Sequence, residues 1–235
     1  MKRKKFDRKD YHGVIKSTRT YYDEYSEKYV EFYENWSKRE GEFSDFKYRE
    51  GYETVARVLM NTAASGEKVI DIGCGVGNWS ALLAENDVHV TSVDNLPTML
   101  RKVSQRCKQK EIESGISPVL SDGFFLPFKD GTFDGATLNW VLAHIPVAKN
   151  IHFVREVHRV VKRNGWLFIS DSYWRGQEGG KEQIQIRETE GKKYEVYKYY
   201  YEPDELRQLL QKAFGEVELL QPLHYELICV ARKTV

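Results

Sequence analysis

Lys68 to Ser80, KVIDIGCGVGNWS, constrains this chain more than any other stretch. The apolar, β-branched Val69-Ile70-Asp71-Ile72 runs straight into Gly73-x-Gly75-x-Gly77, and Asn78-Trp79-Ser80 then opens a segment with helical spacing. That order predicts a buried strand, a glycine turn and a helix start, the layout with which α/β proteins seat a nucleotide. Glycines suit the turn because a Cβ would block close approach of the backbone to a ligand, and because tight turns often need positive φ. A tight strand-to-helix turn without a ligand would carry the same glycines.

Two details narrow the ligand. The spacing is G-x-G-x-G, not G-x-G-x-x-G, and the strand carries Asp71 two residues before the first glycine. A pyrophosphate on such a turn sits at the helix N-terminus, where an adjacent carboxylate would repel it. An ammonium group there would be attracted. A second strand, His89 to Val93, ends in Asp94, placed to accept from ribose hydroxyls. A nucleoside with a cationic amino-acid tail meets both demands, and S-adenosylmethionine (SAM) is such a molecule. The alternatives are a nicotinamide-dependent oxidoreductase on a similar sheet and a SAM-binding protein without catalysis.

From Val69 to Asp171 the chain resembles the class I SAM-dependent methyltransferases. VIDIGCGVGNWS is similar to their first motif and VTSVD to their second-strand acidic motif. SDGFFLPFKDGTFDGATLNWVLAHI is similar to their adenine-binding turn and fourth strand, and EVHRVVKRNGWLFISD to the helix, turn and fifth strand that follow. The resemblance implies a Rossmann-like, doubly wound α/β fold with a seven-stranded, mostly parallel sheet and an antiparallel last strand. It implies that Asp71 and the Gly73 and Gly75 backbone hold the methionine end of SAM, with Cys74 and Gly77 of the same turn also binding the cofactor. Asp94 would take the ribose hydroxyls, with Asn95 and Leu96 beside the adenine. Asp122 would accept from the adenine amino group next to Gly123 and Phe124, and Asn139 would lie near the methyl group. His144, just past the fourth strand, is the candidate general base, with a packed or capping histidine as the other reading. S-adenosyl-L-homocysteine (SAH) would be the product.

Around that core the sequence divides simply. Residues 1–20 are Lys/Arg-rich without apolar periodicity and are expected to form a mobile arm. Residues 21–235 read as one domain, within which 21–64 is a helical lid. Tyr21, Tyr25, Tyr29 and Tyr33 recur every four residues, so a helix over 20–36 would carry an aromatic face, packed on the core or closed over a sulfonium. A helix over 45–64, with Ser44 or Asp45 as N-cap, precedes the first sheet strand, and its Tyr48 and Arg49 face the cofactor's carboxylate or solvent. After Asp171, two alternating segments around Glu190-Gly191-Lys192 predict a β-hairpin within an insertion over 172–201. Its Tyr194, Tyr197, Tyr199, Tyr200 and Tyr201 are candidate acceptor contacts, although half the side chains of a strand should face solvent.

Composition sets the limits. In 235 residues, 41% hydrophobic and 30% charged, there is room for one α/β domain and a modest insertion. A net charge of +1 gives no general pull on nucleic acid or anionic membrane. Asn139 is followed by Trp140-Val141-Leu142, not the Pro-Pro-aromatic turn of base-amine methylases, and no cysteine stands near it to attack a pyrimidine. A small-molecule acceptor is therefore expected, and a nucleic acid is not. Cys74, Cys107 and Cys229 form no C-x-x-C pair, which argues against a structural zinc or disulfides and for a reducing, cytoplasmic setting. No apolar run reaches membrane-spanning length, and the sequence leaves the oligomeric state open.

Overall fold

A computed structural model describes residues 3–5, 11–38 and 46–234. The sheet starts where the sequence is most apolar. Strand β2 (Lys68–Ile72) is buried from its second residue onward, because both faces are covered by helices. Helix α4 (Asn78–Ala84), β3 (His89–Asp94), α5 (Pro97–Lys110) and β4 (Ile116–Leu120) build one half of the fold. The other half holds β5 (Phe133–Asn139), α6 (Asn150–Val160), β6 (Val161–Ser172), α7 (Pro203–Ala213), β9 (Glu216–Leu223) and β10 (Glu226–Arg232). The strand order is β4-β3-β2-β5-β6-β10-β9. Pairs β2–β3, β2–β5, β3–β4 and β5–β6 are parallel, and β10 runs antiparallel to both neighbours. This is the doubly wound, seven-stranded sheet with one reversed strand that the sequence predicts. The order reverses between β2 and β5, and in open α/β sheets ligands bind at that crevice.

The elements after the sheet's fifth strand differ in detail from expectation. Helix α6 passes without a loop into β6, which is twelve residues long and ends at Ser172. The predicted hairpin forms as β7 (Glu182–Thr189) and β8 (Lys192–Tyr199), joined by Glu190 and Gly191 at φ of 50° and 75°. Positive φ at both central residues is the geometry whose twist suits a two-residue hairpin. Its tyrosines behave differently from the expected alternation. Tyr194, Tyr197, Tyr199 and Tyr201 are all buried in the core, and only Tyr200 reaches the cavity described below.

The largest correction lies at the N-terminus. Residues 11–20, assigned to the arm, form the first part of helix α1 (Tyr11–Glu24), which buries Val14 and Thr18. Arg3–Lys5, also within that arm, is strand β1, paired antiparallel with β7. The aromatic segment is two helices, α1 and α2 (Ser26–Lys38), broken at Tyr25. Helix α3 (Phe46–Thr62) follows with Val55, Val58 and Leu59 buried, whereas Phe46 is exposed. The candidate caps Ser44 and Asp45 lie outside the described residues.

Helix α1 is fastened to the inserted hairpin. Ser17 Oγ accepts from Glu195 N at 2.8 Å, Thr18 Oγ1 accepts from Tyr197 N at 3.1 Å, and Tyr194 donates to Glu24. Tyr21 packs with Tyr194 and Val196 in a small core of its own. This part of the aromatic face therefore packs against the protein, the first of the two readings.

Candidate active site

Above the C-terminal ends of β2, β3 and β5 lies a cavity of about 1250 Å³. That exceeds the range of about 300–1,000 Å³ usual for one drug-sized ligand and leaves room for two molecules side by side. Its floor is the glycine turn. Gly73 N and Cys74 N both donate to Val93 O, at 2.8 and 3.0 Å, which folds the turn over the end of β3. Gly73 stands at φ 67°, and a Cβ there would lie 2.5 Å from Val141 Cγ2, so no larger residue fits this position without displacing Val141.

Asp94 is locked into the turn. Its Oδ2 accepts from Gly75 N at 3.0 Å and its Oδ1 from Leu96 N at 2.9 Å. Burial raises its pKa, opposed by those N–H groups. Each oxygen retains a lone pair for a ligand hydroxyl. Next to it, Asp122 Oδ1 caps its own loop through Phe124 N at 3.0 Å. Asp122 Oδ2 and Asn95 both meet Arg19 of α1. The ion pair is 3.2 Å, and the Asn95 amide, oriented to satisfy both groups, accepts from Nε and Nη2 at 3.2 and 3.0 Å. Arg19 thus joins the lid to the two loops expected around an adenine.

Of the residues the sequence singles out, Gly73, Cys74, Gly75, Asp94, Asn95, Leu96, Asp122, Gly123, Phe124, Asn139 and His144 line this one cavity. Asp71 and Gly77 do not. Gly77 is the N-cap of α4 and packs against Val103. Asp71 is buried behind the turn, where Ser80 Oγ donates to its Oδ2 at 2.6 Å and Ser92 Oγ donates to Ser80 Oγ at 2.7 Å. Burial, reinforced by Asp94, pushes Asp71 up to about 7 despite the Ser80 hydroxyl. The carboxylate beside the glycines faces the helix behind it, so it cannot meet a ligand's ammonium directly.

A different carboxylate reaches the cavity. Glu226, first residue of β10, lines the cavity with a buried Oε2 that has no hydrogen-bond partner, and burial beside Asp171 pushes it up to about 8. Trp79 lines the cavity too, with a buried and unpartnered Nε1. Tyr52 of α3 links them: its ring stacks on Trp79 at 4.6 Å, it lies within the electrostatic reach of Glu226, and Asn78 donates to its hydroxyl. An orphan acceptor and an orphan donor thus flank one tyrosine near the turn. Buried polar atoms without partners are rare and point to a ligand. A third, Asn139 Oδ1, faces the same cavity while its Nδ2 donates to Thr137 Oγ1 at 2.6 Å.

At the far end the walls are aromatic. Tyr21, Tyr22, Tyr25 and Tyr29 come from the lid helices and Ile186 and Arg187 from β7. His144 sits on the short 3₁₀ turn 142–144, with Nε2 2.7 Å from Tyr22 Oη and Nδ1 2.7 Å from Tyr197 O. A carbonyl can only accept, so Nδ1 carries the hydrogen and Nε2 accepts from Tyr22. Burial, with Lys198 and Arg187 nearby, holds the imidazole well below its usual pKa. Tyr48 reaches the cavity mouth, stacked on Tyr225 at 5.0 Å, whereas Arg49 lies over Phe46 and not in the cavity.

Sequence reasoning missed Glu226, Arg19 and Arg187. Only Arg187 left a trace, as the last alternate position of Gln183-Ile184-Gln185-Ile186-Arg187.

Strand order, glycine turn and cavity together define a Rossmann-like protein built to hold a nucleoside at its topological switch point. Residues 70–169 match the family model described as a methyltransferase domain. Within that segment the chain is similar to SAM-dependent methyltransferases, which favours the methyltransferase over the nicotinamide alternative. Demethylmenaquinone methyltransferase of Listeria welshimeri is 30% identical over 110 residues, 46% of this chain. The match covers 45% of that relative, so the chain spans less than half its length. Among solved structures, the DhpI-SAM-HEP complex aligns over 94% of this chain and 98% of its own, with TM-score 0.73 and 18% identity. Burkholderia thailandensis 1,6-didemethyltoxoflavin-N1-methyltransferase, bound to 1,6-didemethyltoxoflavin and SAH, aligns over 100% and 94%, with TM-score 0.62 and 18% identity. These two structures share the fold of this chain.

Proposed function

We propose that this protein transfers a methyl group from SAM to a small-molecule acceptor, leaving SAH. The observation that carries the reading is the unpaired Glu226 Oε2 and Trp79 Nε1 beside Tyr52. An α-amino acid brings an ammonium for the first and a carboxylate for the second, and the methionine end of SAM is an α-amino acid. The ammonium contact belongs to Glu226 in place of Asp71, which serves by fixing Ser80 and through it the turn. Asp94 accepts from the ribose, and Asp122 turns from Arg19 toward the adenine amino group.

SAM supplies an activated methyl on a sulfonium, so the protein needs chiefly to align the acceptor and exclude water. Tyr21, Tyr22, Tyr25 and Tyr29 close the cavity over the reacting end, and aromatic faces suit a cation. Where the acceptor must lose a proton, Tyr22 takes it as its own passes to His144 Nε2, and the Tyr197 carbonyl holds the Nδ1–H. Small-molecule acceptors are named among the relatives, a demethylmenaquinone and 1,6-didemethyltoxoflavin. The near-neutral charge supports the same class. No described helix is long and apolar enough to cross a membrane. With three unpaired cysteines, a reducing, cytoplasmic setting fits best.

Calorimetric titration with SAM, SAH and NAD tests the cofactor, and SAM and SAH alone should bind. Incubation with SAM and a metabolite extract should then generate SAH. Binding without turnover would leave a SAM-binding protein, and NAD binding in place of SAH would sink the reading.

A further inference from the structure

The inserted hairpin brings one cation into the aromatic end of the cavity. Arg187 donates from Nε and Nη2 to Gln185 Oε1, at 3.3 and 2.9 Å, and from Nη1 to Tyr22 Oη, at 3.1 Å. Its guanidinium carbon lies 5.4 Å from the ring centre of Tyr21 and 5.9 Å from that of Tyr22. A guanidinium has five N–H groups. Three are used, which leaves one on each terminal nitrogen.

What stands opposite the charge is unusual. All three of its hydrogen bonds go to neutral groups, and among the described residues no carboxylate forms an ion pair with it. Lys198 of β8 is a buried cation, but it faces Asp171. His144 is neutral, and Glu188 at the rim is exposed. The acceptor end therefore holds a net positive charge that the protein itself does not neutralise. Arg187 is half-buried, and a charge drawn partly out of water without a counter-ion is costly. A tether between hairpin and lid would not require it, since a neutral donor could bond Tyr22 equally well.

We infer that Arg187 binds the acceptor, and that the acceptor carries an oxyanion, a carboxylate or a phosphonate-type group, on a flat or apolar body. The two spare N–H groups of its fork match the two oxygens of such a group, a pairing a lysine cannot copy. Tyr21, Tyr25, Tyr29 and Ile186 supply the apolar walls around it. This rests on the methyltransferase reading and adds the acceptor's charge to it.

The test is calorimetry on the full chain saturated with SAH, using benzoate, phenylphosphonate and the neutral benzamide as probes. At least one anion should bind tenfold or more tighter than benzamide, and which of the two binds tighter identifies the oxyanion. Arg187→Gln should abolish the preference, and Arg187→Lys should restore part of it. SAH is titrated into each variant first, and unchanged affinity shows that the fold and cofactor site persist. Equal binding of anion and amide, no binding of either anion, or a preference that survives Arg187→Gln would each overturn the inference and leave the methyltransferase reading intact. Failure of SAH to bind wild type would remove that reading and this one with it.

Discussion

Tyr22 Oη lies 2.7 Å from His144 Nε2, so a hydroxyl carried on the N-terminal helix stands at the nitrogen that would otherwise act as base. The ring's other nitrogen is held by the Tyr197 carbonyl, also at 2.7 Å. With both nitrogens bonded and buried, His144 should be a neutral Nδ1–H tautomer. Nitrogen-edited NMR should find it unprotonated at pH 6.5, where a free imidazole is about half charged. Tyr22→Phe should cost about 1 kcal/mol of stability by removing the bond to Nε2. A His144 found charged at pH 6.5 would refute the arrangement.

The orphan atoms at the other end make a ranking. Glu226→Gln should weaken SAH binding by about tenfold or more, the size of one charge-assisted hydrogen bond. Trp79→Phe should weaken it less, since the ring still packs against Tyr52. Asp71→Asn, which touches no ligand, should change SAH affinity least of the three. Calorimetry on the three variants decides, and an Asp71 effect larger than that of Glu226 would restore the direct contact the sequence implied.

Glu226 also sets a pH dependence in the ligand-free protein. Its pKa rises from 4.5 to about 8, so the folded state keeps a proton that the unfolded chain releases. Its stability contribution is whole below about 4.5 and is lost as pH rises through about 8, at no more than roughly 1.4 kcal/mol per pH unit. Glu226→Gln has no proton to lose. Its melting temperature relative to wild type should therefore climb between pH 5 and pH 9, as thermal denaturation would register; a constant difference would mean that the carboxyl is solvated.

Two glycines separate binding from folding. At Gly73 an alanine meets Val141 and must adopt φ 67°, a local strain of about 1–3 kcal/mol at the cofactor turn. At Gly135 in β5 it would lie 2.1 Å from Trp166 Cε2, inside the sheet core and away from the cavity. Gly135→Ala should cost about 1–3 kcal/mol or more from overpacking, and the folded fraction should keep its SAH affinity. Gly73→Ala should lose affinity beyond its loss of stability. Chemical denaturation paired with SAH titration tells the two apart.

Asp94 offers a further site-directed check. Its two oxygens hold Gly75 N and Leu96 N, so Asp94→Ala frees both donors and should destabilise the protein by about 1–3 kcal/mol while abolishing SAH binding. Retained binding would show that the ribose is held elsewhere.

What the sequence determined by itself is the local and periodic part. The run Val69 to Ile72, the glycines after it and the alternating strands fix the parallel sheet and the turn, because each depends on neighbours a few residues apart. The placement of Asp94 and Asn139 at the ends of β3 and β5, and of Asp122 in the loop just past β4, was legible for the same reason, since the strand order follows from the motif. Which way Asp71 points was not, since that depends on Ser80 and Ser92 arriving behind it. Arg187 and Tyr22, 165 residues apart, and Glu226 at the last strand met only when the lid, the hairpin and the sheet packed together. A side chain's neighbours across such distances are set by burial and register in three dimensions, and no spacing along the chain encodes them.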